Sequence, residues 1–234
     1  MPHPTPNNAT PTNSTPQTKR FPLLVFDWDG TILDSAGAIV RSIQAACVDL
    51  ALPVPADAQA RHVIGLGLGD ALRHAVPALT EARYADMVER YRHHYLSQDH
   101  ELSLFAGIEA LIADLAAQGY YLAVATGKSR LGLNRALGHS GLGQYFHASR
   151  CADECFSKPH PQMLEELLAE FAINPEQTLM IGDTSHDLQM AENAKVAGLG
   201  VSYGAHPISV LEKCAPLGIV HSVAELRTWL QQNA

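Results

Sequence analysis

Three times along this chain a short, unbroken apolar run stops at a glycine turn that carries an acid or a hydroxyl. Leu23-Leu24-Val25-Phe26 gives way to Asp27-Trp28-Asp29-Gly30-Thr31, Tyr120-Tyr121-Leu122-Ala123-Val124-Ala125 to Thr126-Gly127, and Thr178-Leu179-Met180-Ile181 to Gly182-Asp183. A strand with one wet face alternates polar and apolar residues, so runs without alternation predict strands covered on both faces. Weaker runs predict further strands near 145–148, 198–201 and 219–220. Helical periodicity fills the gaps, over 108–118, 131–138, 161–171, 187–194 and 223–232. Strand and helix in alternation predict an α/β fold, a doubly wound parallel sheet with helices on both faces.

One stretch breaks the alternation. From about 35 to 103 no strand signal occurs, only helical segments at 36–50, 70–76 and 80–96, the first stopping before Pro53 and Pro55 and the last led by Thr80 as N-cap. The expected organisation is an α/β core over 21–34 and 104–234, with a small helical domain inserted at 35–103. Residues 1–20, mostly Pro, Asn, Thr and Gln, lack the apolar stretch of a secretory signal and read as a disordered tail.

Charge narrows the partners. A formal charge of −8 argues against nucleic acid. No apolar run approaches the roughly 18 residues of a membrane span. The four cysteines show no zinc-ligand spacing and fit a reduced, cytoplasmic protein, monomeric or dimeric.

In open parallel sheets ligands bind beyond the carboxyl ends of the strands. The three strongest strands end at Asp27 and Asp29, at Thr126, and at Asp183, while Lys158 stands just before the helix expected at 161. Asp27 and Asp29, two apart, share a face, and Trp28 points away. Crowded carboxylates repel unless a cation joins them, and oxygen-only ligation is the style of Mg²⁺, which keeps positions for water and phosphate. With Mg²⁺ and Lys158 present a phosphate dianion can approach. Thr126 and the N–H groups around Gly127 and Gly30 can donate to it. Taken singly each feature is ordinary: a turn, a helix cap, a surface lysine. Their order at successive strand ends is not.

These residues resemble the motifs of the haloacid dehalogenase superfamily of phosphohydrolases. Asp27-Trp28-Asp29-Gly30-Thr31 matches DxDGT, Thr126 the second motif, Lys158 the third, and Gly182-Asp183-Thr184-Ser185-His186-Asp187 the GDTxxD form of the fourth. The resemblance runs from about Phe21 to the C-terminus, and the insert is similar to the cap of phosphoglycolate phosphatases and β-phosphoglucomutases. It implies a Mg²⁺-dependent phosphatase for a small phosphomonoester, such as phosphoglycolate, working through an aspartyl-phosphate. Asp27 would be the nucleophile and Asp29 the acid, then the base. Asp27, the Asp29 carbonyl and Asp183 would hold Mg²⁺, with Asp187 supporting the metal's surroundings or Lys158, and Lys158 binding nucleophile and phosphate. Dehalogenases of the superfamily lack an acid at the position of Asp29, since a halide needs no proton. Gly127 departs from the Asn of several close relatives, which bears on substrate identity.

A phosphomutase with the same site is the nearest alternative. A response-regulator receiver also carries Asp, Thr and Lys at strand ends, but it is smaller and places its acidic pair on another strand. A silent binding protein on the same fold would fit a loss of Asp27, Asp29 or Lys158. In the insert, the glycine-rich loop 64–68 is the segment expected to face the site, with Gly65 allowing close backbone approach and Arg61 or His62 able to meet an acidic substrate. A plain connection between helices explains that loop equally well. His93, His94 and His100 are expected at the surface, because adjacent helical residues face different ways.

Overall fold

Leu23–Phe26 forms β1, an inner strand of a six-stranded parallel sheet in a computed structural model that describes residues 19–234. The other strands are β2 (Tyr121–Thr126), β3 (Ala148–Cys151), β4 (Thr178–Gly182), β5 (Ala197–Val201) and β6 (Ile219–Val220), and the order across the sheet is β3-β2-β1-β4-β5-β6. All four β1 side chains are buried because both faces are covered. Leu24 and Phe26 join a cluster with α5 (Ile108–Ala117) and α10 (Val223–Asn233), whereas Leu23 and Val25 pack with α7 (Gln162–Phe171) and α8 (Ser185–Asn193). The side-chain alternation of a strand thus feeds two apolar layers, which is why its sequence does not alternate. α6 (Arg130–Ser140) and α9 (Ile208–Leu211) complete the helices around the sheet.

The expected tail at 1–20 falls, for residues 1–18, outside the described residues. Lys19 is described: its ammonium donates to the Gln118 carbonyl (2.6 Å) and lies 4.2 Å from the Tyr120 ring centroid.

Between β1 and α5 lie four helices, α1 (Ala36–Asp49), α2 (Asp57–His62), α3 (Leu68–Ala75) and α4 (Glu81–Gln98). They bury their own apolar cluster, which includes Ile39, Ile43, Leu72 and Met87. The short helices α2 and α9 have too few turns for a periodic signal and escape sequence reading. Thr80 does precede α4, but its side chain makes no capping bond. The third strand begins at Ala148, not Tyr145, because Tyr145 and Phe146 serve the core as packing side chains; Phe146 meets Phe26 and Trp28 edge-on, at 6.3 Å each.

Candidate active site

The backbone that ends β1 places Asp27 at the centre. Its N–H donates to the Ile181 carbonyl (2.9 Å), carrying the β1–β4 ladder one step further. The register Phe26 to Val124 and Phe26 to Ile181 brings Thr126 and Asp183 to the same edge. Lys158 reaches that edge from the loop before α7, and its ammonium bridges Asp27 Oδ1 (2.5 Å) and Asp187 Oδ1 (2.6 Å). Asp187 Oδ2 accepts from the Thr184 N–H (3.0 Å) and hydroxyl (2.7 Å), and Thr184 caps α8 in return. Asp183 accepts from the Thr31 hydroxyl (3.0 Å) and the Ala205 N–H (2.7 Å). A Cβ at Gly30 would collide with Asp183 Oδ2, so the turn after β1 needs glycine for space as well as for its φ of +84°.

Asp27, Asp183 and Asp187 each bring a carboxylate oxygen within 4.8 Å of the others, all fully buried. Lys158 is the ammonium that pairs with this cluster, so negative charge outweighs positive. Burial drives Asp27 well above the usual carboxylate range, with Asp187 and Asp183 adding to the push against Lys158. Burial, then Asp187, raises Asp183 to about 7. Burial lowers the Lys158 pKa, but the two carboxylates outweigh it and hold the ammonium above its ordinary range. Asp27 Oδ2 is a buried oxygen with no hydrogen-bond partner. Oxygen donors, excess negative charge and an unpartnered carboxylate oxygen fit a hard divalent cation. Asp27, Asp183 and Asp187 could hold it.

The Asp29 side chain stands apart from that cluster. Its Oδ1 accepts from the Ser35 hydroxyl (2.6 Å) and pairs with the Lys128 ammonium (2.9 Å), which also donates to Tyr95 OH (3.0 Å). Burial opposes the charge on Lys128, yet Asp29 and Tyr95 hold its pKa above the ordinary range. Sequence reading missed Lys128, Ser35 and Tyr95. Lys128 had one visible sign, its place directly after Gly127, while nothing local connects Tyr95 or Ala205 to a strand end. Thr126 is fully buried beside the site, and its hydroxyl accepts from the Lys128 N–H (3.2 Å). Of the residues expected from the insert, Gly65 lies against the core, 3.1 Å from Thr184 Oγ1 if it bore a Cβ. Arg61 lies on α2 and does not line the cavity between insert and core. His62 contributes its carbonyl, which accepts from His186 Nε2 (2.7 Å) and His206 Nε2 (3.1 Å). His93 and His100 are exposed, and His94 pairs with Asp49 (2.7 Å).

The haloacid dehalogenase-like hydrolase family model matches residues 24–201, a span holding every strand-end residue described above. The chain belongs to that family. It is 36% identical over 212 residues to the probable phosphatase IndB of Dickeya dadantii (strain 3937), covering 88% of this chain and 91% of that protein. It is 30% identical over 209 residues to the phosphoglycolate phosphatase of Pectobacterium atrosepticum, covering 87% and 89%. Among solved structures, a predicted phosphoglycolate phosphatase from Haemophilus somnus 129pt superposes with a TM-score of 0.81 at 27% identity, covering 91% of this chain and 99% of that one. This haloacid dehalogenase-like hydrolase is therefore an enzyme of the phosphatase type on a Rossmann-like sheet. No helix of the described residues is long and apolar enough to cross a membrane.

Proposed function

We propose that this hydrolase cleaves a phosphomonoester of a small metabolite with Mg²⁺, through a phosphoryl group carried transiently on Asp27. The observation that carries this reading is Asp27 Oδ2, an unpartnered carboxylate oxygen at the end of a central strand, while Oδ1 is held by Lys158. Oδ2 attacks phosphorus as the bond to the leaving oxygen breaks, and the Asp29 carboxyl gives that oxygen its proton. Asp29 then takes a proton from water, whose oxygen attacks phosphorus and releases phosphate from Asp27. Ser35 and Lys128 aim Asp29 for both steps. Thr126, the Gly127 N–H and Lys158 hold the phosphoryl oxygens. Mg²⁺ bound by Asp27, the Asp29 carbonyl and Asp183, with Asp187 alongside, would neutralise the phosphate dianion.

The insert, residues 35–103, acts as a cap that excludes water and reads the alcohol. Phosphoglycolate, named for two of the similar proteins, is one candidate substrate. The four cysteines form no disulfide, which fits a reducing cytoplasm. The test is phosphate release from a panel of phosphomonoesters with Mg²⁺ and with chelator. Release should need the metal and fall by at least about three orders of magnitude in Asp27→Asn. Release that survives either change would refute the mechanism.

A further inference from the structure

A cavity of about 880 Å³ separates the insert from the core, and Asp29 and Lys128 line it. It is therefore continuous with the group that protonates the leaving oxygen, on the side where the alcohol must sit. Pockets of roughly 300–1,000 Å³ hold drug-sized ligands, far larger than a two-carbon acid.

The lining has a definite chemistry. Tyr84, Val88, Tyr91 and Tyr95 all line the cavity and follow helical spacing along one face of α4. The Tyr91 and Tyr95 rings stack at 5.9 Å and 21°. At the mouth, Leu131 and Phe156 remain 77% and 66% exposed, an apolar rim with nothing over it. The charged lining residues balance, Asp29, Asp70 and Asp153 against Arg92, Lys128 and Arg135. Lys128 is engaged by Asp29 and Tyr95, Arg135 pairs with Asp99 at 3.0 Å, and Arg92 is solvent-exposed. No excess of cations awaits a small carboxylate beside the phosphate. Arg73 lies 4.7 Å from the Tyr84 ring centroid and Lys128 5.0 Å from that of Tyr95. The phenol rings together with Val88 form a largely apolar aromatic lining with polar edges, the complement of a planar ring that carries polar substituents.

We infer that the phosphoester has a bulky alcohol bearing an aromatic or heteroaromatic ring, which lies along the tyrosine stripe of α4. This rests on the phosphatase reading above. Uridine 5′-monophosphate and pyridoxal 5′-phosphate serve as ring-bearing probes, phosphoglycolate as the small acid, and acetyl phosphate, an acyl phosphate whose acetate leaves without a proton from Asp29, as a small substrate that asks nothing of the cavity. With Mg²⁺, kcat/KM for at least one ring ester should exceed that for phosphoglycolate by about tenfold or more. Tyr91→Ala should lower the ratio of ring-ester to acetyl phosphate kcat/KM by about tenfold, mainly through KM. Phe156→Ala, at a side chain 66% exposed, should lower the same ratio about threefold. A preference for phosphoglycolate, or ratios within about twofold of wild type in both variants, would overturn the inference and leave the phosphatase reading intact. Failure to hydrolyse acetyl phosphate as well would overturn both.

Discussion

Lys158 is fully buried between two carboxylates that no solvent screens. Removing one partner of a buried ion pair is costlier than never having built it, because the other charge stays behind unpaired. Lys158→Met leaves Asp27 and Asp187 facing each other, so we expect a loss of about 3–5 kcal/mol in unfolding free energy in metal-free buffer. Asp27→Asn removes a like charge and keeps the 2.6 Å Lys158–Asp187 pair, and it should cost clearly less. Urea unfolding of the two variants measures the order, and the reverse order would contradict the compensating role of Lys158. In the sequence Asp27 reads as a strand-end acid, Lys158 as a lysine before a helix and Asp187 as an acid in a helix's first turn. The resemblance implied that Lys158 binds Asp27 and that Asp187 supports it, but no local pattern shows either pairing, since Asp27 and Lys158 lie 131 residues apart.

At the scale of elements, the loop from Gly65 to Gly67 is seated on the ends of three core segments. A Cβ at Gly127 would collide with the Leu66 carbonyl and lie 2.7 Å from that of Gly65, while the Gly67 N–H donates to Ser157 Oγ at 2.8 Å. In the sequence Gly127 reads as the loss of an amide side chain; in the fold it is the clearance that lets the insert approach. Gly127→Ala should displace that loop and lower kcat/KM by about 10- to 100-fold, since small misplacements at a closing element are expensive. Gly138→Ala is the control, because a Cβ there meets nothing within 4 Å. Equal kinetics for the two variants would mean that the loop's seat is irrelevant to turnover.

The whole molecule is joined across the same interface by histidines from three places: His62 at the end of α2, His186 on α8, and His206 after β5. The His62 and His206 rings stack at 5.1 Å. His206 Nδ1 accepts the Ser185 N–H (3.0 Å), which leaves Nε2 to donate to the His62 carbonyl. A proton on Nδ1 would break the first bond. Burial, then the neighbouring His186, lowers the His206 pKa to about 4. A depressed pKa means that the neutral ring is preferred in the fold. This contribution is therefore whole above about 6.5 and is lost as pH falls towards 4. Asp183, raised to about 7, works the other way in metal-free protein, gaining stability as pH falls through that value. The useful quantity is the difference between wild type and His206→Gln, in which Asp183 cancels. Wild type should lose on the order of 2 kcal/mol relative to the variant between pH 6.5 and 4. Thermal unfolding across that range measures it, and parallel pH profiles would rule the joint out as a titrating one.

Local residue order by itself determined the sheet, the interruption after β1 and the groups at the strand ends. Each of these depends on hydrophobic period or on a turn a few residues long, and such signals survive in a single chain. Beyond the grouping of Asp27, Lys158, Asp183 and Asp187 that the family resemblance implied, the tertiary structure alone decided which groups touch. It gave the Asp29 side chain to Ser35 and Lys128, brought the Ala205 N–H to Asp183, and raised the tyrosines of α4 over the site. These contacts are made by packing one layer on another, and burial then gives them their strength. No local pattern encodes a distance between layers.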